Sequence, residues 1–142
     1  MNSPFKLMFD ENVGRELIHA LAELAQFHDP PPQVSHIIDF VGQEGEEDDI
    51  WIPRLAGEGW LLVSADQGHS GGPKFPRLCR TWKITQIVIK GKLHHAKQFE
   101  KARAVLAVWP DLLEAANSPP GTEFALHYTH GQRSFVLARK SL

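Results

Sequence analysis

Short apolar runs alternate along the chain with longer segments in which apolar residues recur every three or four positions. The short runs predict buried strands, and the periodic segments predict helices with one apolar face. The predicted strands lie at residues 5–9, 34–38, 60–64 and 84–89. The predicted helices lie at residues 13–27, 48–58, 75–82 and 94–108, with a further turn at 111–116. This order predicts parallel β-α-β units in a three-layer α/β domain.

The last part of the chain has a different period. Phe124, Leu126 and Tyr128 alternate with other residues, and Phe135 and Leu137 repeat the pattern after a turn at residues 129–132. Alternation on both sides of a short turn predicts a β-hairpin, which would add antiparallel strands at one edge of the mainly parallel sheet. No linker is long enough to separate two domains, so we treat residues 1–142 as one domain.

The composition limits the class of protein. Apolar residues make up 42% of the chain, which is enough for a globular core and argues against overall disorder. No apolar run is long enough to span a membrane, and the N-terminus lacks the pattern of a signal peptide. The single cysteine, Cys79, cannot form an internal disulfide. We therefore expect a cytoplasmic protein without a membrane partner.

The charges divide into an acidic and a basic half. Residues 1–66 contain 13 acids and three bases, a net charge of −10, whereas residues 67–142 contain 12 bases and four acids, a net charge of +8. This division suggests a cation site in the first half and a surface for a polyanion in the second. An unevenly charged but merely solvated surface is the alternative.

Acidic residues follow each of the first three predicted strands. Asp10 and Glu11 follow the first strand, Asp39 the second and Asp66 the third, and an acidic run that contains Glu47, Asp48 and Asp49 begins the next helix. The carboxyl ends of parallel strands share one edge of a sheet, where ligands bind. Clustered carboxylates need a cation, and oxygen ligands favour hard divalent ions. The pattern predicts a Mg²⁺ or Mn²⁺ site, although each acid taken alone also fits a helix cap or first turn.

The basic half offers phosphate contacts. Nine bases and one acid, Glu100, lie between residues 74 and 103, and Trp82 or His94 could stack on a base. The alternative is a core tryptophan among solvated lysines. The histidines and the lone cysteine have no zinc-binding spacing. The candidate nucleic-acid contacts are Lys74, Arg77, Lys90, Lys92 and Lys97.

Four short motifs resemble the small PIN-like proteins. The sequence Leu-Met-Phe-Asp-Glu-Asn at residues 7–12 resembles the opening of that family, and residues 34–39 resemble its second strand. The Gly-x-x-acid-acid-x-Ile pattern at 45–50 resembles its third element, and residues 58–66 resemble its Gly-x-strand-Thr-x-Asp signature, with Ser64 in place of Thr. The motifs occur in order over about residues 5–95.

This resemblance implies a three-layer PIN-like (Rossmann-like) domain and a metal-dependent ribonuclease, often the toxin of a bacterial toxin–antitoxin pair. It implies Asp10, Asp48 and Asp66 as catalytic metal ligands, with Glu11, Glu47 and Asp49 as further acids near the ion. A metal-activated water would hydrolyse the RNA phosphodiester bond. A toxin also needs an antitoxin protein and commonly forms a homodimer.

The chain departs from the family where a second acid often follows the third-strand Asp. Gly68 stands at the position of that acid, and His69 stands at the position of the aromatic residue that follows it in the family. One metal ligand is therefore missing, or His69 replaces it. A catalytically inactive PIN-like binding module is therefore one alternative. A receiver-like signalling domain is another, with Asp10, Asp66 and Lys90 in the receiver roles, although the acids at 46–49 have no part there.

Overall fold

A computed structural model describes residues 5–10, 13–41, 48–64, 74–129 and 134–140. Six strands form one sheet in the order β2-β1-β3-β4-β5-β6. All neighbouring pairs are parallel except β5 and β6, which form the C-terminal antiparallel hairpin. The strands are β1 (Lys6–Phe9), β2 (Gln33–His36), β3 (Leu61–Ser64), β4 (Gln86–Ile89), β5 (Glu123–Tyr128) and β6 (Phe135–Arg139).

Helices cover both faces of the sheet, so the predicted three-layer α/β fold is confirmed. None of the helices in the described residues is long and apolar enough to cross a membrane. The α-helices are α1 (Arg15–Ala25), α2 (Ile37–Val41), α3 (Asp48–Glu58), α4 (Lys74–Thr81), α5 (Gln98–Ala107) and α6 (Trp109–Ala115), and a 3₁₀ helix spans Gly91–His95.

The central strands are apolar on both faces, as expected for a parallel sheet between two helical layers. Successive strand residues point to opposite faces. Leu7 and Phe9 of β1 therefore pack in a core with α1, α5 and α6, whereas Met8 packs in a second core with α2, α3 and α4. In β3, Leu61 and Val63 join the first core and Leu62 the second.

Strand β2 is shorter than the sequence predicts, because the chain turns into α2 at Ile37. The ring of His36 holds this turn. Its Nδ1 accepts a hydrogen bond from the backbone N–H of Ile38 at 3.2 Å, and its Nε2 lies 2.7 Å from the carbonyl oxygen of Val13. A carbonyl can only accept, so Nε2 carries the proton and the ring is neutral. Asp39, expected at a strand end, lies in α2 instead.

The predicted helix over 48–58 matches α3, which has Pro53 in its interior, where it removes one backbone donor. Another predicted helix differs from the structure. The predicted helix over 94–108 divides into the 3₁₀ helix and α5, because Ala96 and Lys97 are extended. Lys97 thus becomes the N-cap of α5.

The strand order creates one reversal point. The chain leaves β1 for β2 on one side and returns to β3 on the other, so β1 lies between β2 and β3. In open α/β sheets the crevice at such a reversal, outside the carboxyl ends of the strands, is the usual binding site. Asp10 and Ser64 stand at the carboxyl ends of the two strands that border it.

The second core predicts how stability depends on β3. Leu62 is completely buried, so Leu62→Ala should leave a cavity and lower the free energy of unfolding by about 2–5 kcal/mol. Leu24→Ala is the control, because Leu24 is 53% exposed and its truncation should change stability by no more than about 0.5 kcal/mol. Urea unfolding measures both changes, and equal losses would contradict the described packing.

Candidate functional site

Asp10 occupies a fixed, buried position at the carboxyl end of β1. Its backbone N–H donates to the carbonyl of Val63 at 3.1 Å, and its carbonyl accepts from the N–H of Val13 at 3.1 Å. The residue is only 5% exposed. It does not cap α1, because that helix begins after Gly14 and has no side-chain cap bond. A role as the N-cap of α1 therefore does not explain Asp10.

Ser64 orients the carboxylate of Asp10. Phe9 and Val63 are register partners, so Asp10 and Ser64 follow at the same level of neighbouring strands. Ser64 is fully buried, and its Oγ donates a short hydrogen bond to Oδ2 of Asp10. A hydroxyl donor to a carboxylate forms a strong, charge-assisted bond. The carboxylate is thereby fixed at the crevice between β1 and β3.

Lys101 of α5 brings a positive charge to this buried carboxylate. Lys101 is 5% exposed. Burial lowers the pKa of its amine and the negative charge of Asp10 raises it, and the resulting pKa lies below the ordinary value for lysine. In the sequence, Lys101 is one of nine basic residues between positions 74 and 103. Helical spacing could have identified it, because Val105 and Val108 follow it by four and seven residues and so share its face of the helical segment.

The first turn of α5 also holds the segment after β1. Oε1 of Gln98 accepts a hydrogen bond from the backbone N–H of Gly14 at 2.7 Å. Gln98 and Lys101 are three residues apart and so occupy neighbouring positions on the helix. Around them, Val13 packs in the same core as Ala104 and Val105. Helix α5 is thus attached to the β1 end by apolar packing as well as polar contacts.

All the predicted metal ligands, Asp10 included, stay predictions. Glu11, Glu47 and Asp66 lie outside the described residues. The backbone of Asp48 and Asp49 forms the start of α3, but their side chains also lie outside the description. Within the described parts of the chain, no three His, Cys, Asp or Glu side chains meet in a group that could hold a metal ion.

Asp39 has a structural role between α1 and α2. It hydrogen bonds with Nε2 of His19 at 2.7 Å and accepts from Nε of Arg15 at 2.9 Å. These bonds, that of His19 first, hold the pKa of the Asp39 carboxyl below its ordinary value. Both partners belong to α1, so this acid joins two helices at the surface.

Three of the predicted phosphate contacts lie near the carboxyl end of β4. Lys90 directly follows that strand, Lys92 is exposed in the 3₁₀ helix and Lys97 is exposed at the start of α5. His94 belongs to the same 3₁₀ helix, and its ring lies 4.7 Å from that of His95. This edge of the sheet is the one where Asp10 follows β1.

Three other bases are paired with acids, and two of them lie away from this surface. Arg80 and Lys140 bind Glu123 at 2.8 and 3.3 Å, and Glu123 begins β5 at the opposite edge of the sheet. Trp82 follows α4 and precedes β4, so it also lies toward that opposite edge. Arg103 pairs with Glu100 at 2.7 Å. The basic half of the sequence is therefore not one basic surface.

The two remaining predicted contacts belong to α4. Arg77 is exposed on this helix. Lys74 is its first residue, and the side chain of Lys74 lies outside the description. Helix α4 connects the end of β3 to the start of β4, so it runs from one edge of the sheet to the other.

The contact between Ser64 and Asp10 predicts a measurable loss of stability. Ser64→Ala removes the hydroxyl donor from a buried carboxylate and should lower the free energy of unfolding by about 1–3 kcal/mol. Ser35→Ala is the control, because the Ser35 hydroxyl makes only a 3.4 Å bond to the adjacent carbonyl. Chemical unfolding at neutral pH measures both variants. Equal losses in the two variants would show that the Ser64–Asp10 hydrogen bond contributes no more to stability than the Ser35 bond.

Comparison with known proteins bears on the part of the chain that contains this site. A family model described as a PIN like domain matches residues 5–74, which include β1, β3, Asp10 and Ser64. No curated protein and no solved structure gives a match. The matched residues run from β1 into α4, with the strand order and helical layers of a mainly parallel α/β domain. Through residues 5–74, the chain belongs to the PIN-like domain family.

Proposed function

We propose that this protein is a metal-dependent ribonuclease, and that it acts as the toxin of a bacterial toxin–antitoxin pair. The PIN-like fold is a nuclease-type fold. The observation that carries the proposal is the buried Asp10 carboxylate, fixed by Ser64 at the reversal point of the sheet. A buried carboxylate without a capping role, placed where α/β sheets bind ligands, is best explained by chemistry at that edge.

The described oxygen atoms suit Mg²⁺ or Mn²⁺. Asp10 supplies a carboxylate and Ser64 a hydroxyl, and hard divalent ions prefer oxygen ligands. Mg²⁺ usually takes only one or two carboxylates and leaves its other positions to water and substrate phosphate. Asp10, Asp48 and Asp66 would hold the ion, with Glu11, Glu47 and Asp49 as the nearby acids that the sequence suggests.

The chain would contribute mainly position and charge. A bound divalent ion would activate a water and offset the charge that develops on the phosphate. Ser64 keeps the Asp10 carboxylate in one orientation, because its hydroxyl donates to Oδ2. The backbone bonds of Asp10 to Val63 and Val13 keep the residue at the strand end. No nucleophilic side chain is required.

The RNA would lie along the edge that carries Asp10. Lys90, Lys92 and Lys97 follow β4 or begin α5, and their ammonium groups suit phosphate contacts that do not depend on base sequence. Lys74 and Arg77 on α4 would extend these contacts. An antitoxin protein and a homodimer are further expectations, which depend on the family resemblance alone.

A catalytically inactive PIN-like binding module is the second candidate. The charge of Lys101 beside Asp10 favours it, because a lysine supplies positive charge without any metal. Gly68 favours it as well, since it stands where the family often has an acid. The receiver-like alternative has less support, because the PIN-like match extends through the acids at 46–49, which have no part in a receiver.

Removal of the proposed metal ligands should abolish cleavage. Asp10→Asn and Asp66→Asn should each lower Mn²⁺-dependent cleavage of single-stranded RNA by at least about 100-fold, because each removes a carboxylate from the ion. Asp39→Asn is the matched control, since Asp39 only joins two helices at the surface. Cleavage is measured on gels with and without EDTA. If Asp10→Asn and Asp39→Asn cleave equally well, the proposal fails.

Loss of the three lysines near β4 should weaken RNA binding without selectivity for sequence. In the triple variant Lys90→Ala, Lys92→Ala and Lys97→Ala, each lost phosphate contact should reduce the slope of log K against log salt by about 0.7. The control makes the same charge change at the opposite edge, with Lys6, Lys83 and Lys140 replaced by Ala. Fluorescence anisotropy at several salt concentrations measures both slopes. An unchanged slope in the first variant would place the RNA elsewhere.

A further inference from the structure

We infer that Lys101 is the built-in counter-cation of Asp10, and that it lowers the affinity of the site for a divalent metal ion. This inference depends on the proposed metal site. It assigns a positioning and charge-balancing role to a residue of α5, which lies beyond the family match over residues 5–74.

Burial is the first support. Lys101 and Asp10 are each only 5% exposed, although lysine and aspartate are rarely buried unless they are paired. An isolated buried charge costs several kcal/mol, and an opposite charge nearby offsets that cost. The negative charge of Asp10 acts directly on Lys101 and raises the pKa of its amine. Each residue thus reduces the cost of burying the other.

The attachment of α5 to the β1 end is the second support. Gln98 binds the backbone of Gly14 at 2.7 Å, and Val13 belongs to the same buried core as Ala104 and Val105. These contacts fix α5 on both sides of Lys101. The lysine is therefore held in place by its helix, and its charge stays near Asp10 whether or not a metal ion is present.

The third support is the free-energy cost of burying a lysine at position 101. An apolar residue would fit a buried position on a helix whose Ala104 and Val105 belong to the core, and replacing a buried ion pair by apolar residues is often neutral or stabilising. Packing therefore does not require a lysine at position 101. A charge does explain it, because the buried carboxylate of Asp10 needs an opposite charge nearby when no ion is bound. The same charge repels a divalent ion that binds at Asp10.

Lys101→Met tests this role, because methionine keeps the unbranched length but removes the charge. The full-length variant should bind Mn²⁺ with a dissociation constant about tenfold lower than that of the original protein, since one repulsive charge is absent. Its melting temperature without metal should fall by about 10 °C, because Asp10 loses its partner. Mn²⁺ should restore most of this loss. Titration calorimetry with MnCl₂ and thermal unfolding measure these changes.

Two controls separate charge from packing. Lys140→Met makes the same substitution at an exposed residue that pairs with Glu123 at the opposite edge, and it should leave Mn²⁺ binding unchanged. If Lys101→Met does not fold without metal, the double variant Asp10→Asn with Lys101→Met should fold, because neither charge is then buried alone. A double variant that also fails to fold would overturn the inference, since the lysine would then be needed for packing.

The outcomes distinguish this inference from the proposed function. If the original protein binds Mn²⁺ and Lys101→Met binds it no more tightly, the counter-cation role is wrong and the metal site stands. If Lys101→Met binds Mn²⁺ and the original protein does not, the role is supported in its strongest form. If neither binds Mn²⁺, both the role and the proposed metal site fail.

Discussion

The structure depends on the burial of one carboxylate at the end of its central strand. Asp10 follows β1, which lies between β2 and β3, and only 5% of the residue is exposed. A buried charge of this kind is stable only with hydrogen bonds and an opposite charge. Ser64 supplies the hydrogen bond and Lys101 the charge, so residues from β3 and α5 both act on the acid that follows β1.

The fold could be predicted largely from hydrophobic periodicity. Residues 5–9 and 60–64 read as buried strands because parallel strands between two helical layers are apolar on both faces. Periodicity does not define where β2 ends, since Ile37 and Ile38 continue the apolar run. The structure starts α2 there, where Nδ1 of His36 accepts a hydrogen bond from the backbone N–H of Ile38. This bond depends on the orientation of the imidazole ring. Such contacts between side chain and backbone are not visible in a pattern of apolar positions.

The site was predicted in part, and for different physical reasons. The sequence marks Asp10 because an acid that follows a strand of a parallel sheet lies at the binding edge. It does not reveal that Ser64 orients this acid, because the contact joins residues 54 positions apart across neighbouring strands. Nor does charge counting separate Lys101 from its exposed neighbours. Helical spacing points to it, and the orientation of α5 shows that this lysine faces inward.

The hairpin at the C-terminus has a consequence for association between chains. An unpaired strand edge can add a strand from another molecule, which leads to aggregation. Here β6 covers β5 and ends with the exposed Arg139, followed by Lys140. The outer strand on the other side of the sheet is β2. It has only four residues and follows Pro30, Pro31 and Pro32, whose nitrogens cannot donate hydrogen bonds. Charge at the end of β6 and prolines directly before β2 therefore disfavour the addition of a further strand at either side of the sheet.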